Sequence, residues 1–424
     1  MSSLPPPWTP IPSSTFSKSH FFPLRFPFPS SSSSSRVVCH AGPDLRDTPA
    51  CDLKLVLHDA LDSSGIDTTH AREARKGFCA QIENFSDIER QTSISINRCV
   101  DLGRTALCIT AEDDSLVSHS SVPLPVDAFI ERLDDLSMDY CPHYSPSYDS
   151  SPENFLESLE RYLYVHKGFR RTSAIQMEPR ALYLHSVLTH RTGSAAMLSL
   201  IYSEILKMLR LWGLLNFDAE IFFPHDGHGL PRGYHKQKSK ESDHSHIMTS
   251  GNLLYEILNN LKNAFWPFQH DRTKSLFLRA AHAANCVDRW DFIGESGSQL
   301  ASAKAAQHRL DRGVWTSVRL GDMRRSLAAC ERLILLKSNA KELRDYSILL
   351  YHCGLYKQSL EYMMLYKDSK SSSPQTESSN SPSCSLEEDA VDKLIMRLNL
   401  ILMEEGWSRP SYVRNFLSNN SEPW

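Results

Sequence analysis

The sequence predicts an α+β fold dominated by helices, with a small sheet in the middle and a helical repeat segment toward the C-terminus. Three observations carry that expectation. Residues 191–214, "RTGSAAMLSLIYSEILKMLRLWGL", read as a turn, a helix start and a long apolar helix. The stretch "FDAEIFF" alternates apolar and polar residues, the period of a strand. "GDMRRSL" at Gly321 and "GLYKQSL" at Gly354 share a pattern, Gly-x-(Met/Tyr)-x-x-Ser-Leu, 33 positions apart, and each leads into an apolar helix.

Bulk properties set the frame for these elements. The chain has 424 residues, with 41% apolar and 23% charged, which is ordinary for a soluble globular protein of two or three domains. A net charge of −4 gives no global attraction to nucleic acid or an anionic membrane. No apolar run approaches the length of a bilayer span. Ten cysteines are scattered without a C-x-x-C; the closest, Cys99 and Cys108, stand nine apart. That spacing argues against a structural zinc site and for reduced thiols, so no metal or cofactor is expected.

The first 43 residues contain no Asp or Glu, are rich in Ser and Pro, and carry scattered cations at Lys18, Arg25 and Arg36. Such a segment cannot bury a core. Its composition is that of an organelle import signal, read here as a transit peptide over residues 1–41 with cleavage near Cys39. A plastid is the expected destination; a mitochondrion is the alternative.

Residues 42–120 form an N-terminal helical region, with apolar residues at mixed three and four spacing and a long polar face. Pro123 and Pro125 end it. "VDAFIERLDDLSMDY" is a short amphipathic helix with Phe129, Leu133 and Leu136 on one face, and "CPHYSPSYDSSP" is a loop. Ser151 is placed as N-cap, with Pro152 at the first helical position, for the helix that follows. In the helix after Gly193 and Ser194, the polar residues Ser199, Ser203, Lys207 and Arg210 make one narrow stripe. A helix with so little polar surface is surrounded by protein. The core region spans 121–300 and includes a polar His/Lys-rich loop at 224–248. The repeat segment spans 301–367, close to the 34-residue tetratricopeptide period. A Ser-rich linker occupies 368–386, and a final helix and tail occupy 387–424.

This order of elements resembles the bacterial SirB-one family, in which a transglutaminase-like, papain-related core is coupled to tetratricopeptide-like repeats. The resemblance lies in Gly168-Phe169-Arg170, Pro179-Arg180, Leu184, Val187-Leu188, Arg191, Gly193 and Leu198-Ser199-Leu200-Ile201-Tyr202, and in residues 344–366. It covers roughly residues 105–366 and, with the N-terminal segment, implies a plant plastid member of that family.

Papain-type chemistry needs a thiolate at a helix N-terminus, a histidine in hydrogen-bond reach and a residue to orient that histidine. The resemblance places Met197 at the nucleophile position, and a thioether cannot ionise. The family's Pro-Gly-His-Phe after the strand is absent here. His225 and His228 are displaced candidates for the base. Ser194 reads as an N-cap and Ser199 as a helix-interior serine rather than as nucleophiles. His225, His228, His244 and His246 have spacings that suggest metal, but no fixed carboxylate or cysteine accompanies them, and a solvated loop is the simpler reading. His282 and Cys286 stand at i, i+4, a spacing that apolar core helices also show.

The expected function is therefore a non-catalytic interaction or scaffold protein, a pseudoenzyme that binds a protein partner for complex assembly or delivery of a substrate to a protease. Gly321, Ser326, Gly354, Tyr356, Ser359 and Tyr362 of the repeat are the candidate partner-binding positions. Two other readings compete. One is a thiol-type hydrolase or acyl transferase with relocated residues, such as Cys141 or Cys286 meeting a histidine. The other is RNA binding through Lys236, Lys238 and Lys240.

Overall fold

The computed structural model describes residues 56–85, 100–118, 122–144, 151–173, 178–224, 229–238, 246–269, 273–284, 286, 322–336, 339–372 and 382–407. The segment expected as a transit peptide, with its expected cleavage region, Gly321, and the histidines at 225, 228 and 244 lie outside these residues. All described residues belong to one compact unit, residues 53–424.

The N-terminal region supplies α1 (Val56–Ser63), α2 (Thr69–Glu83) and α3 (Leu102–Ser118). Next come α4 (Val126–Tyr144) and α5 (Pro152–Glu160). Ser151 caps α5, accepting a hydrogen bond from the Asn154 N–H at 3.3 Å, and Pro152 supplies a first-turn residue that needs no partner for its nitrogen. The helix path then widens into a π-helical turn at Arg161–His166. Helix α4 runs further than the sequence suggests: residues 141–144, read as loop, continue it.

Short elements lead to the central helix. Strand β1 (Arg170–Arg171) pairs in parallel with β2 (Thr192–Gly193), and α6 (Leu184–His190) lies between them. The central helix α7 (Ala195–Leu211) is enclosed along most of its length, as its thin polar stripe predicts. Strand β3 (Ala219–Phe222) pairs antiparallel with β4 (Arg232–His235), Ala219 opposite His235 and Phe222 opposite Arg232. Ala219 and Ile221 are buried as the alternation requires, but Glu220 is buried too.

Helices α8 (Ser250–Phe265) and α9 (Leu276–Ala283) follow. The C-terminal part holds α10 (Met323–Leu335), α11 (Lys341–His352), α12 (Tyr356–Ser372) and α13 (Pro382–Trp407). The Ser-rich linker is thereby narrowed. Its first residues continue α12 and its last begin α13, and the pairs Lys367–Asp392 and Lys370–Glu388 join the two helices.

Two apolar clusters hold the unit together. One is built around α7, with side chains from α2 through α8 and with Ala329, Leu333 and Leu336 from the C-terminal part. The other gathers α9 to α13 with Val56, Leu57 and Leu61 of α1. Helices α2, α3 and α10 contribute to both, so shared helices tie the two clusters together.

Candidate functional site

The start of α7 is where the resemblance implies a thiol enzyme's nucleophile. Arg191 ends α6 in the left-handed region (φ 60°), with its guanidinium donating to the Lys167 carbonyl at 2.8 Å. The chain then turns through Gly193, where a Cβ would come within 2.8 Å of Val187. The Ser194 N–H donates to the Ala181 carbonyl, and its hydroxyl caps the helix by accepting from the Met197 N–H at 3.3 Å. Met197 is 2% exposed and its side chain belongs to the α7 cluster. Ser199 is fully enclosed, and Ser203 donates to the Leu200 carbonyl. The helix start therefore presents a buried thioether and an N–H already engaged by a cap.

Beyond α7 lie the strands and the segment in which the resemblance implies a histidine base. The segment expected as a polar loop at 224–248 is partly regular: it contains β4, a 3₁₀ turn at Lys236–Lys238, and a bridge from Ile247 to Phe222. His235 sits on β4, edge-on to Phe217 and 3.9 Å from the Glu153 carboxylate, which also holds Lys238 at 2.5 Å. His246 stacks on Phe222 at 4.8 Å, while the Arg232 guanidinium lies over the Phe222 ring. Among the described residues no group of three His, Cys, Asp or Glu side chains could hold a metal ion.

Sequence reasoning missed the role of Gly233. Its N–H donates to the Glu160 carboxylate at 3.0 Å, and a Cβ there would fall 2.5 Å from both Leu156 and the Tyr202 hydroxyl. Tyr164, on the π-helical turn, donates to the Pro231 carbonyl. Burial pushes the Tyr202 and Tyr164 phenols well above their usual range and pushes the Glu160 carboxyl up. These phenols stay protonated and anchor β4 rather than act as bases. Gly233→Ala must displace β4 from α7, and a thermal-melt comparison is expected to show a loss of about 1–3 kcal/mol; an unchanged melt would mean that the strand yields freely.

The thiols are placed for packing. Burial raises the Cys79, Cys108, Cys286 and Cys330 thiols above the ordinary cysteine value, and Cys330 is fully enclosed. Cys286 lies past the end of α9 rather than on it, with its sulfur 3.7 Å from the Ala284 carbonyl. The helical i, i+4 pairing with His282 is corrected accordingly. The Cys141 side chain is outside the described residues.

The repeat residues have a structural use. Ser326 donates to the Phe265 carbonyl at 2.6 Å, joining α10 to α8. Ser359, 33 positions later, donates to the Ser347 carbonyl at 2.8 Å while Ser347 donates back to Ser359 at 2.7 Å, joining α12 to α11. A small hydroxyl residue lets each helix pair approach closely. Tyr362 is buried edge-on against Tyr346 at 4.8 Å. Gly354 ends α11 at φ 76°, a conformation that favours glycine. Ser326, Ser359 and Tyr362 are thus interior residues with no surface to offer a partner; Gly354 and Tyr356 keep partial exposure.

The densest polar cluster in the described structure is elsewhere, where α2, α3 and α10 meet. Glu112 accepts from Arg75 at 2.6 and 2.8 Å and from Arg332 at 3.1 Å, with His58 at 3.2 Å. Asp113 accepts from Arg332 at 2.5 Å and from the Tyr183 hydroxyl at 2.7 Å. Glu331 pairs with Arg75 at 2.9 Å and accepts from Tyr346 at 2.6 Å. Burial alone would raise the Glu112 carboxyl, but the Arg332 and Arg75 guanidiniums more than reverse this and hold it well below the usual carboxylate range. The charges are enclosed on all sides, so this cluster joins elements of the fold and has no opening for a substrate.

Residues 127–212 match the family model described as the transglutaminase-like superfamily. That span runs from the start of α4 to the end of α7 and includes Ser194 and Met197. The chain therefore carries a transglutaminase-like domain within a predominantly helical structure. Comparison with curated proteins and with solved structures gave no match. No helix among the described residues is long and apolar enough to cross a membrane.

Proposed function

We propose that this protein is a non-catalytic interaction protein, built on a degenerate transglutaminase-like domain of the SirB-one type and working in the plastid. The observation that carries the reading is the start of α7. A methionine stands at the nucleophile position, enclosed, and the Ser194 hydroxyl occupies the N–H that would otherwise lower a nucleophile's pKa. On β4, His235 is engaged with Glu153 of α5 and with Phe217. The paired helices α8/α10 and α11/α12, each closed by a serine 33 positions from the other, favour a tetratricopeptide-like segment, in which the partly exposed Gly354 and Tyr356 are the positions left to meet a partner. The acid-free first 43 residues favour plastid import; uptake of a reporter fused to them by isolated plastids is the direct check, and a reporter left outside would remove that part.

The non-catalytic reading is tested by labelling. Native protein is treated at neutral pH with iodoacetamide and, separately, with a fluorophosphonate, and modified sites are mapped by mass spectrometry. No stoichiometric modification is expected at Ser194, Ser199, Cys79, Cys108, Cys286 or Cys330 until the protein is unfolded. Rapid, fold-dependent labelling at any one residue would establish an activated nucleophile and overturn the reading.

A further inference from the structure

Helix α13 lies along α9 and is held to it at both ends. At one end the Glu387 carboxylate accepts from the Ser275 hydroxyl at 2.6 Å and from the Arg344 guanidinium at 2.6 Å. Ser275 is the N-cap of α9, and Arg344 comes from α11. At the other end Arg397 donates to the Ala284 carbonyl, just past the last residue of α9. Ten residues of α13 rise about 15 Å and nine residues of α9 about 13.5 Å, so the two helices run parallel and in step. The acid meets the positive end of the α9 dipole and the guanidinium its negative end.

The carboxylate enters a built socket. Arg344 is buried, with its guanidinium over the Phe277 ring at 4.4 Å and over the Tyr366 ring at 5.8 Å. Asp345 accepts from its Nε and Nη2, and Glu387 accepts from its Nη1. Between the two ends, Ala390, Val391, Leu394 and Leu398 pack into the C-terminal cluster. Among the described residues of α13 no other side chain is buried, whereas α10 is buried along most of its length. Helix α13 thus covers the cluster from outside, by one face. A helix undocked from its groove is marginal in water, so the cost of ordering it offsets part of what docking gains.

We infer that the groove lined by α9, α11 and α12 is a helix-binding site, that α13 occupies it as a displaceable latch, and that the partner it takes is an amphipathic helix of the same pattern. That pattern is Glu at one position, apolar residues three, four, seven and eleven positions on, and Arg ten positions on. The inference rests on the partner-binding reading above and names the partner's chemistry. Partly exposed Tyr356 stands 5.6 Å from Tyr351, and Arg397 lies over the Tyr351 ring, so the rim of the repeat borders the Arg397 end of the groove.

The probe is a synthetic peptide of residues 384–403, added to the full chain and followed by fluorescence anisotropy. Only molecules with an open latch can take it, so its apparent affinity follows the open fraction. The chain carrying Glu387→Ala and Arg397→Ala is expected to bind it at least about tenfold more tightly than the wild type, because the latch has lost both ends while Arg344 and Ser275 remain. A peptide carrying Glu387→Lys and Arg397→Glu is expected to lose that binding; equal binding overturns recognition of the two ends. Hydrogen exchange on the wild type is the second measurement. Amides of residues 387–398 are expected to exchange through an opening that leaves α10 and α11 protected. Exchange of α13 only together with those helices, or equal affinity of both chains for the peptide, overturns the latch. Labelling of an activated nucleophile would overturn the non-catalytic reading and leave both measurements as they are.

Discussion

Glu112→Gln is expected to lower stability to urea by about 3–5 kcal/mol, the cost of leaving buried guanidiniums without their carboxylate. The side chains of Glu112, Arg75 and Arg332 are all at most 1% exposed, so water cannot replace the lost charge. Arg75 keeps Glu331, and Arg332 keeps Asp113, but both lose the negative charge they share, and one carboxylate oxygen is replaced by an amide NH2 that cannot accept from them. The substitution changes almost no volume, so cavity formation does not contribute. The distinguishing measurement is a double-mutant cycle. If the network acts as a unit, Arg332→Met made in the Glu112→Gln background costs less than in the wild type, because the charge it removes is already unmatched. Strict additivity would show that Glu112 and Arg332 act independently. The same network ties residues before 120 to residues after 320: His58, Arg75, Glu112 and Asp113 from the first region close on Glu331 and Arg332 from the last.

The second large effect is on acid stability. His352, on α11, is buried in the contact between α11 and α9. Its Nε2–H donates to the Ala280 carbonyl at 2.9 Å, a donor role assigned from the carbonyl it faces, and its ring lies 4.4 Å from Phe268. Burial lowers its pKa to about 4, the Ala280 hydrogen bond works against this, and the Arg397 charge lowers it further. In the unfolded chain the imidazole titrates near about 6.5. Between those values the unfolded state binds a proton that the folded state does not, so stability falls as pH drops from about 6.5 toward 4, and the accumulated loss reaches about 3 kcal/mol. Above pH 6.5 the group is neutral in both states and contributes no slope. Urea midpoints at pH 7 and pH 4.5 are the measurement, comparing wild type with His352→Gln. The glutamine chain is expected to be less stable at pH 7 and to lose less on acidification. An identical pH response in both chains would mean that other groups carry it.

Several elements were legible because their signals are local. The central helix was recognised from its thin polar stripe, and its N-terminus from Gly193 and Ser194; both need only helical periodicity and the chemistry of a cap. Strand β3 followed from strict alternation, and the close helix pairs from Ser326 and Ser359 recurring at a fixed interval. The transglutaminase-like core was recognisable for the same reason: its motif is contiguous from α4 to α7. Strand β4 was not legible, because "RGYHKQKSK" has the composition of a solvated loop. What makes it a strand is the backbone of β3 and the lack of a side chain at Gly233, which lets it lie against Tyr202 and Leu156.

By itself, the sequence determined the helical class, the start of α7 and the serine recurrence. Tertiary structure alone decided which polar residues are interior. In sequence, nothing sets Glu112, Asp113, Arg75 and Arg332 apart from solvated charges. Glu112 meets these partners across 37 and 220 residues of chain. Hydrophobic periodicity reports only how a segment faces its immediate surroundings. Whether a charge is solvated or buried against an opposite charge depends on a segment brought in from elsewhere, and only the folded chain contains that information.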